Sequence, residues 1–244
     1  MDKNDIIFTT IKILTSDGVG TGFLIDFDTS GKKEAVFLVT NKHVVEGQTN
    51  LDTFLTVQGK DGLPFKKPHT IYNFRSRCFF HEKYDLCAIS FQIDIDSLKK
   101  AGFKVFGERL TMGDICSDDE VLECGSISNL YVVGYPADYS DVANNLPIVR
   151  SGVTSTPLYI NFEGVDEFAI DAGILKGNSG SPVFVDFSGN CKLIGIVYFT
   201  KIKIDSVDIK NCKCVEGFVD IPTGLGRAVK AQELFFLWKK AGAI

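Results

Sequence analysis

Short apolar runs rich in β-branched residues alternate with polar, glycine-containing segments in the first part of the chain. The runs that predict β-strands are Ile6–Leu14, Phe23–Phe27, Glu34–Thr40, Leu51–Val57, Ile71–Phe74, Arg77–Phe80 and Leu86–Ile93. Strands of this length, separated by Gly, Asp and Asn, are typical of a β-barrel or a β-sandwich. The following segment, Asp94–Gly102, predicts a helical turn.

The strand pattern restarts after Ile115, so we expect a second all-β unit of similar size. Its predicted strands are Glu120–Cys124, Leu130–Pro136, Leu146–Thr154, Leu158–Phe162, Phe168–Asp171, Pro182–Asp186, Leu193–Thr200 and Val215–Val219. The last segment, Thr223–Ala241, predicts a helix. Its apolar stripe is expected to dock on the body of the protein and consists of Ala228, Val229, Leu234, Phe235, Leu237 and Trp238.

The composition of the chain argues against nucleic-acid and membrane partners. The chain has 244 residues, 45% of them hydrophobic, which suits one or two domains with a real core. The net charge is −5 and the charges are interspersed, so we expect no nucleic-acid partner. Apolar runs stay well short of the roughly 18 residues that a membrane helix needs, so we expect no membrane partner either.

The cysteines and the first residues predict a compartment. Seven cysteines are an odd number, and the acidic start Met1–Asp5 does not resemble a signal peptide. We therefore expect a reduced, cytoplasmic protein. The pair in Cys212-Lys213-Cys214 is too closely spaced for a usual zinc site and has no partner pair, so we expect no metal and no cofactor.

A glycine-rich turn around Ser179 carries the first candidate chemistry. The sequence Gly177-Asn178-Ser179-Gly180 lies between two strand-like runs. Such a turn can expose a serine hydroxyl and direct backbone N–H groups to one point, which an acyl-transfer site requires. Taken alone, the turn is more typical of a hairpin loop, because Gly, Asn and Ser are common turn residues.

A histidine and an aspartate upstream favour the acyl-transfer site over the hairpin loop. His43 ends the apolar run that begins at Phe37, and Asp85 opens another such run. The other histidines, His69 and His81, have no long apolar run leading to them. Asp94 and Asp96 are alternatives to Asp85 but lack its strand context. The chain order His43, Asp85, Ser179 is one of the orders in which a Ser-His-Asp triad occurs.

Four motifs together resemble the trypsin-like serine peptidases, and the bacterial HtrA (Deg) type more than the pancreatic type. They are Gly20-Thr21-Gly22-Phe23-Leu24-Ile25, Leu38-Val39-Thr40-Asn41-Lys42-His43-Val44-Val45, Asp85-Leu86-Cys87-Ala88-Ile89 and Gly177-Asn178-Ser179-Gly180-Ser181-Pro182. The resemblance spans about residues 6–238. HtrA enzymes commonly continue into a peptide-binding PDZ domain, whereas this chain stops at Ile244.

The resemblance implies an all-β fold of two six-stranded antiparallel β-barrels with a C-terminal helix, divided into residues 1–114 and 115–244. It also implies roles for the site residues. Ser179 would be the nucleophile, His43 the general base and Asp85 the group that orients the imidazole. The turn residues Gly177, Asn178 and Ser179 would form the oxyanion hole. Asn178 carries no charge, so activation by an N-terminal ion pair is not expected.

The resemblance also places a substrate pocket. Gly173 occupies the position that is acidic in trypsin, and Ile174, Val197, Tyr198 and Thr200 complete the expected substrate-binding residues. A pocket without a carboxylate and narrowed by Ile174 and Thr200 predicts a small or medium apolar P1 residue. Asp171 is close in sequence and keeps a basic P1 residue open as the alternative.

The main hypothesis is therefore a serine endopeptidase that acts on protein or peptide substrates. One alternative is a degenerate protease that serves as a peptide-binding module. An α/β-hydrolase esterase is disfavoured, because it needs Gly-x-Ser-x-Gly before a helix and its histidine last in the chain. A protease in the cytoplasm needs restraint, so we also expect narrow specificity or a partner protein that orders the active-site loop.

Overall fold

The computed structural model describes residues 1–16, 18–27, 35–208 and 216–242, with the backbone alone in 205–208 and 216–220. Glu34 and Val215, the predicted first residues of two strands, lie outside these ranges, as does the Cys212-Lys213-Cys214 segment.

The N-terminal half folds into one sheet of eight strands. The strands are β1 (Thr10–Thr15), β2 (Gly18–Phe27), β3 (Ala35–Thr40), β4 (Leu51–Gln58), β5 (Pro64–Ile71), β6 (Cys78–Phe80), β7 (Cys87–Ser90) and β8 (Leu110–Thr111). Their order is β5-β4-β1-β2-β3-β7-β6, and the short β8 pairs in parallel with β2. The expected all-β unit is present, with eight strands instead of six.

The C-terminal half closes into a six-stranded antiparallel barrel. Its strands are β9 (Asn129–Gly134), β10 (Ile148–Thr154), β11 (Glu167–Ile174), β12 (Pro182–Phe187), β13 (Asn190–Asp208) and β14 (Glu216–Lys230). The barrel order is β10-β11-β14-β13-β12-β9. This architecture confirms the all-β fold class inferred from the sequence.

Four α-helices complete the described fold. They are α1 (Lys42–Val45), α2 (Gln92–Lys100), α3 (Asp118–Glu123) and α4 (Leu234–Gly242). The helical turn expected over Asp94–Gly102 is confirmed by α2. The strand expected over Glu120–Cys124 is wrong, because Ser117 and Glu120 cap each other's backbone N–H groups and start α3 instead.

The helix expected over Thr223–Ala241 is wrong in its first half. Residues up to Lys230 belong to β14, and a 3₁₀ turn over Ala231–Glu233 leads into α4. The reason is tertiary: β14 pairs with β11 on one side and β13 on the other, and this pairing closes the barrel. Leu158–Phe162, expected as a strand, instead lies in turns that precede β11.

Strand β5 was not predicted, apart from its last residue Ile71, because it contains Pro64 and Pro68. Proline cannot donate to a neighbouring strand, so it is confined mainly to sheet edges. The structure places β5 at the edge of the N-terminal sheet, where β4 is its partner.

A shared hydrophobic core joins the two halves and the C-terminal helix. It packs Phe23 and Phe37 of the N-terminal sheet against Phe184 of the barrel. Leu234 and Leu237 of α4 are fully buried in the same cluster, so the expected docking of the helix is confirmed for this part of the stripe.

We predict that Leu237→Ala lowers the free energy of unfolding by about 2–5 kcal/mol, because it leaves a cavity in the shared core. Phe235→Ala is the matched control, since this side chain is 39% exposed, and its cost should be about 1 kcal/mol or less. Urea unfolding measures both. Equal losses would contradict the docking of α4.

Candidate active site

His43 is presented by a single helical turn directly after β3. The strand ends at Thr40, and α1 begins after Asn41, whose extended backbone turns the chain. Val44 and Val45 are buried in the N-terminal core and anchor the turn. The His43 side chain on the opposite face is 45% exposed.

Asp85 holds His43 through two hydrogen bonds. Its Oδ2 lies 2.5 Å from His43 Nδ1, and its Oδ1 accepts from the His43 backbone N–H at 3.2 Å. The Asn41 side chain donates to the Asp85 carbonyl at 2.7 Å, which fixes the backbone on both sides of the pair. Burial raises the pKa of Asp85, but the bonds from His43 and from the Lys42 backbone outweigh burial and leave the pKa lowered. The carboxylate is therefore ionised at neutral pH.

The other candidate acids and bases have separate partners. Asp94 binds His69 at 2.8 Å and also pairs with Arg77, within the N-terminal sheet. His81 is buried, accepts from the backbone N–H of Tyr84 and lies 3.0 Å from Glu233. None of these groups lines the cleft that contains His43.

The turn that carries Ser179 is stabilised by the Asn178 side chain. Asn178 is fully buried, and its Oδ1 accepts from the Leu175 N–H at 3.1 Å. The Asn178 N–H in return donates to the Leu175 carbonyl at 3.1 Å. The side chain is thus occupied inside the turn, and the backbone N–H that was included in the expected oxyanion hole is occupied as well.

Two other N–H groups of the turn are available. Those of Gly177 and Ser179 donate to no group within the described part of the chain. The Lys176 carbonyl accepts from the Ala137 N–H at 2.6 Å. Because the trans peptide bond directs C=O and N–H to opposite sides, this bond turns the Gly177 N–H away from Ala137.

His43 and Ser179 line one cleft between the two halves, with a volume of about 530 Å³. The N-terminal half contributes the β1–β2 hairpin and α1, and the C-terminal half contributes Ala137, Asp138 and the turn from Lys176. No hydrogen bond joins the Ser179 hydroxyl to the imidazole in the described contacts. Such bonds are often long in unliganded enzymes and tighten when substrate binds.

Thr21 connects the two halves at this cleft, and the sequence did not reveal its role. Its side chain donates to the Gly177 carbonyl at 2.8 Å and accepts from the Tyr135 N–H at 3.2 Å. Its backbone N–H donates to the Ser179 carbonyl at 2.8 Å, and its carbonyl accepts from Thr40 Oγ1 at 2.7 Å. The available signal was the motif Gly20-Thr21-Gly22, whose small residues permit close approach.

The expected substrate-binding residues lie where β11, β13 and β14 meet. Ile174 pairs with Gly224, and Thr200 pairs with Gly226. Val197 is buried, and its carbonyl accepts from the Gly180 N–H at 2.8 Å, so β13 runs directly beside the serine turn.

Tyr198 departs from this arrangement because its side chain lies on the other face of β13. Its hydroxyl donates to Glu167 at 2.6 Å. Burial and this hydrogen bond raise the pKa of Tyr198 to about 12. Only its backbone is therefore placed to contact a substrate strand.

Two further features bear on the chemistry. The cysteines within the described ranges, Cys78, Cys87, Cys116, Cys124 and Cys191, are free thiols. No helix in these ranges has both the length and the apolar content needed to span a bilayer.

Residues 20–196 match the family model described as the trypsin-like peptidase domain. The chain belongs to this family. It is a trypsin-like serine protease and acts on protein or peptide substrates. Among curated proteins, no sequence matches the chain.

Solved structures of proteases share this fold. The chain is similar to the catalytically active tobacco etch virus protease complexed with product, with 13% sequence identity and a TM-score of 0.52. The match covers 99% of this chain and 82% of that chain. It is similar to the thermostable serine protease AL20 from an extremophilic microorganism, with 10% identity, 98% of each chain covered and a TM-score of 0.52. At these identities the likeness concerns the fold alone.

We predict that Thr21→Val slows the reaction of the protease with a fluorophosphonate, because the serine turn loses the bond that fixes the Gly177 carbonyl. The free energy of unfolding should fall by about 1–3 kcal/mol, since two buried backbone groups lose their partner. Thr53→Val is the control: Thr53 is equally buried and donates to the His69 carbonyl at 2.8 Å, away from the cleft. A similar slowing in both variants would refute the role given to Thr21.

We predict that Gly177→Ala abolishes most reactivity, by about 10²-fold or more, because the serine turn must shift. An added Cβ would lie 2.2 Å from the Tyr135 carbonyl oxygen, at a φ of +94°. Gly189 has the same φ with open space around it, so Gly189→Ala should only cost about 1–2 kcal/mol of stability. Labelling rates and thermal unfolding of the two variants distinguish these effects, and a fully reactive Gly177→Ala protein would disprove the prediction.

Proposed function

We propose that the protease is a serine endopeptidase whose catalytic triad is His43, Asp85 and Ser179. The observation that carries the proposal is the 2.5 Å bond between His43 Nδ1 and Asp85 Oδ2, at the cleft that Ser179 also lines. A histidine bound to a carboxylate through one ring nitrogen and open to a cleft through the other is suited to general-base catalysis.

In this proposal Asp85 accepts the Nδ1–H of His43 and leaves Nε2 free to accept a proton. His43 takes the proton of Ser179 as its oxygen attacks the peptide carbonyl, and an acyl-enzyme forms when the amine leaves. His43 gives the proton to that amine and then activates the water that releases the acyl group. Asp85 stabilises the imidazolium during both steps.

The free N–H groups of Gly177 and Ser179 are proposed to bind the oxyanion. Two contacts support this assignment. The Lys176 carbonyl is held by Ala137 and the Gly177 carbonyl is held by Thr21, so the peptides on both sides of Gly177 are fixed before substrate arrives. Donors that are already oriented need no reorganisation in the transition state, which is the basis of their large effect on rate.

The substrate pocket is proposed to reject Arg and Lys at P1. The trypsin-like acidic position is Gly173, and the neighbouring walls include Ile174 and Thr200. The sequence-based expectation of a small or medium apolar P1 residue rests on these positions alone.

A cytoplasmic location, a closer relation to the HtrA type and an activating partner protein stay predictions. Narrow pocket specificity or a partner would restrain the protease there.

Labelling with a fluorophosphonate probe in reducing buffer near neutral pH tests the triad. We expect wild type to be labelled, Ser179→Ala to be inert and His43→Ala to be slowed by several orders of magnitude. The matched control His69→Ala removes a histidine that also binds an aspartate and should react like wild type.

Asp85→Asn should react about 10³–10⁴-fold more slowly, because the imidazole loses the partner that fixes its tautomer. No labelling of the folded wild-type protein would contradict the proposal and favour a degenerate, peptide-binding module. Labelling that persists in Ser179→Ala would also contradict it, since another nucleophile would then be present.

A further inference from the structure

Arg150 points into the barrel at the end nearest the proposed pocket. Residues of β10 alternate between its two faces, and Arg150 is paired across the sheet with Val132. Directly paired residues share a face of the sheet, and Val132 is fully buried in the barrel core. The Arg150 side chain therefore starts on the inward face, where an arginine is unusual.

The guanidinium ends against Gly173. Arg150 Nε donates to the Ala172 carbonyl at 2.9 Å, and a Cβ placed on Gly173 would lie 2.0 Å from Arg150 Nη2. Gly173 has a φ of +61° and lies in an irregularity of the β11–β14 pairing. Glycine is thus required here both by the backbone and by the arginine that covers it.

This position is the base of the proposed pocket. A Cβ on Gly224 would lie 3.5 Å from the Gly173 Cα, and a Cβ on Gly226 would lie 2.8 Å from Ile174. Gly226 pairs with Thr200 of the strand beside the serine turn. At Gly173 and Gly226 the absence of a side chain lets Arg150 and Ile174 pack directly against the backbone. The Arg150 guanidinium therefore lies where a side chain on Gly173, the position that is acidic in trypsin, would begin.

The charge of this arginine is not neutralised by an ion pair. Arg150 forms none with any carboxylate in the described part of the chain. The Asp171 carboxylate approaches the same region, since a Cβ on Gly224 would lie 3.8 Å from its Oδ1, but Asp171 is exposed and forms no ion pair with Arg150. Arg227, the other guanidinium near β13, already pairs with Glu163 and Glu167.

We infer that Arg150 selects substrates with an acidic P1 residue. This inference rests on the proposed endopeptidase function and replaces the expectation of an apolar P1 residue. A guanidinium offers parallel N–H donors that match a carboxylate, and bonds between charged groups are stronger than neutral ones. Glutamate, with its longer side chain, suits a charge at the base of a pocket better than aspartate.

A peptide series that differs only at P1 (Glu, Gln, Asp, Leu, Val and Lys) tests the inference. We expect kcat/KM for Glu to exceed that for its neutral isostere Gln by about 10–100-fold, and Lys to be the poorest residue. Arg150→Met should bring the Glu/Gln ratio toward one, whereas Arg150→Lys should keep part of the preference. Arg109→Met, which removes a guanidinium bound to Asp26 of β2, is the control and should keep the wild-type ratio.

The wild-type series is decisive even if an Arg150 variant does not fold. Cleavage after Leu or Val at least as fast as after Glu, by a protein that the fluorophosphonate labels, would overturn the role of Arg150 and leave the triad intact. Absence of both labelling and cleavage would instead refute the proposed function, and the P1 assignment would fall with it.

Discussion

The four hydrogen bonds of Thr21 are the constraint on which the cleft depends. Through them, one buried side chain and its backbone bind both sides of the serine turn, Tyr135 and Thr40. The proposed catalytic groups come from two halves of the chain, so the contacts that join those halves determine the relative position of these groups. The buried hydrogen bonds of Thr21 fix orientation as well as distance, whereas packing in the shared hydrophobic core is not directional.

Glycines make this close approach possible. A Cβ on Gly180 would lie 1.9 Å from the Thr21 carbonyl oxygen, and one on Gly134 would lie 2.0 Å from the Ser181 hydroxyl. The serine turn therefore packs against the other half by backbone, without side chains between. At Gly173, in the proposed substrate pocket, the space that a side chain would take is occupied by the Arg150 guanidinium.

The sequence predicted those parts of the protein that local pattern encodes. The strand pattern predicted the all-β fold class, and the strand before His43 and the glycine turn around Ser179 made these two residues candidates that the structure places at one cleft. The role of Thr21 in joining the two halves was not recognised, because its partner Gly177 is 156 residues away in sequence. Arg150 was missed because its position depends on strand register. The helix over Thr223–Ala241 was partly wrong because barrel closure overrode an apolar pattern that suits either structure.

The most direct test of the account is a crystal structure of the protein after reaction with a phosphonate inhibitor. We predict phosphorus bonded to Ser179 Oγ, with a phosphonyl oxygen that accepts from the N–H groups of Gly177 and Ser179, and with His43 still bound to Asp85. An adduct on a different residue would contradict it. So would an adduct on Ser179 in which the Lys176 carbonyl has left Ala137 and turned into the space proposed for the oxyanion.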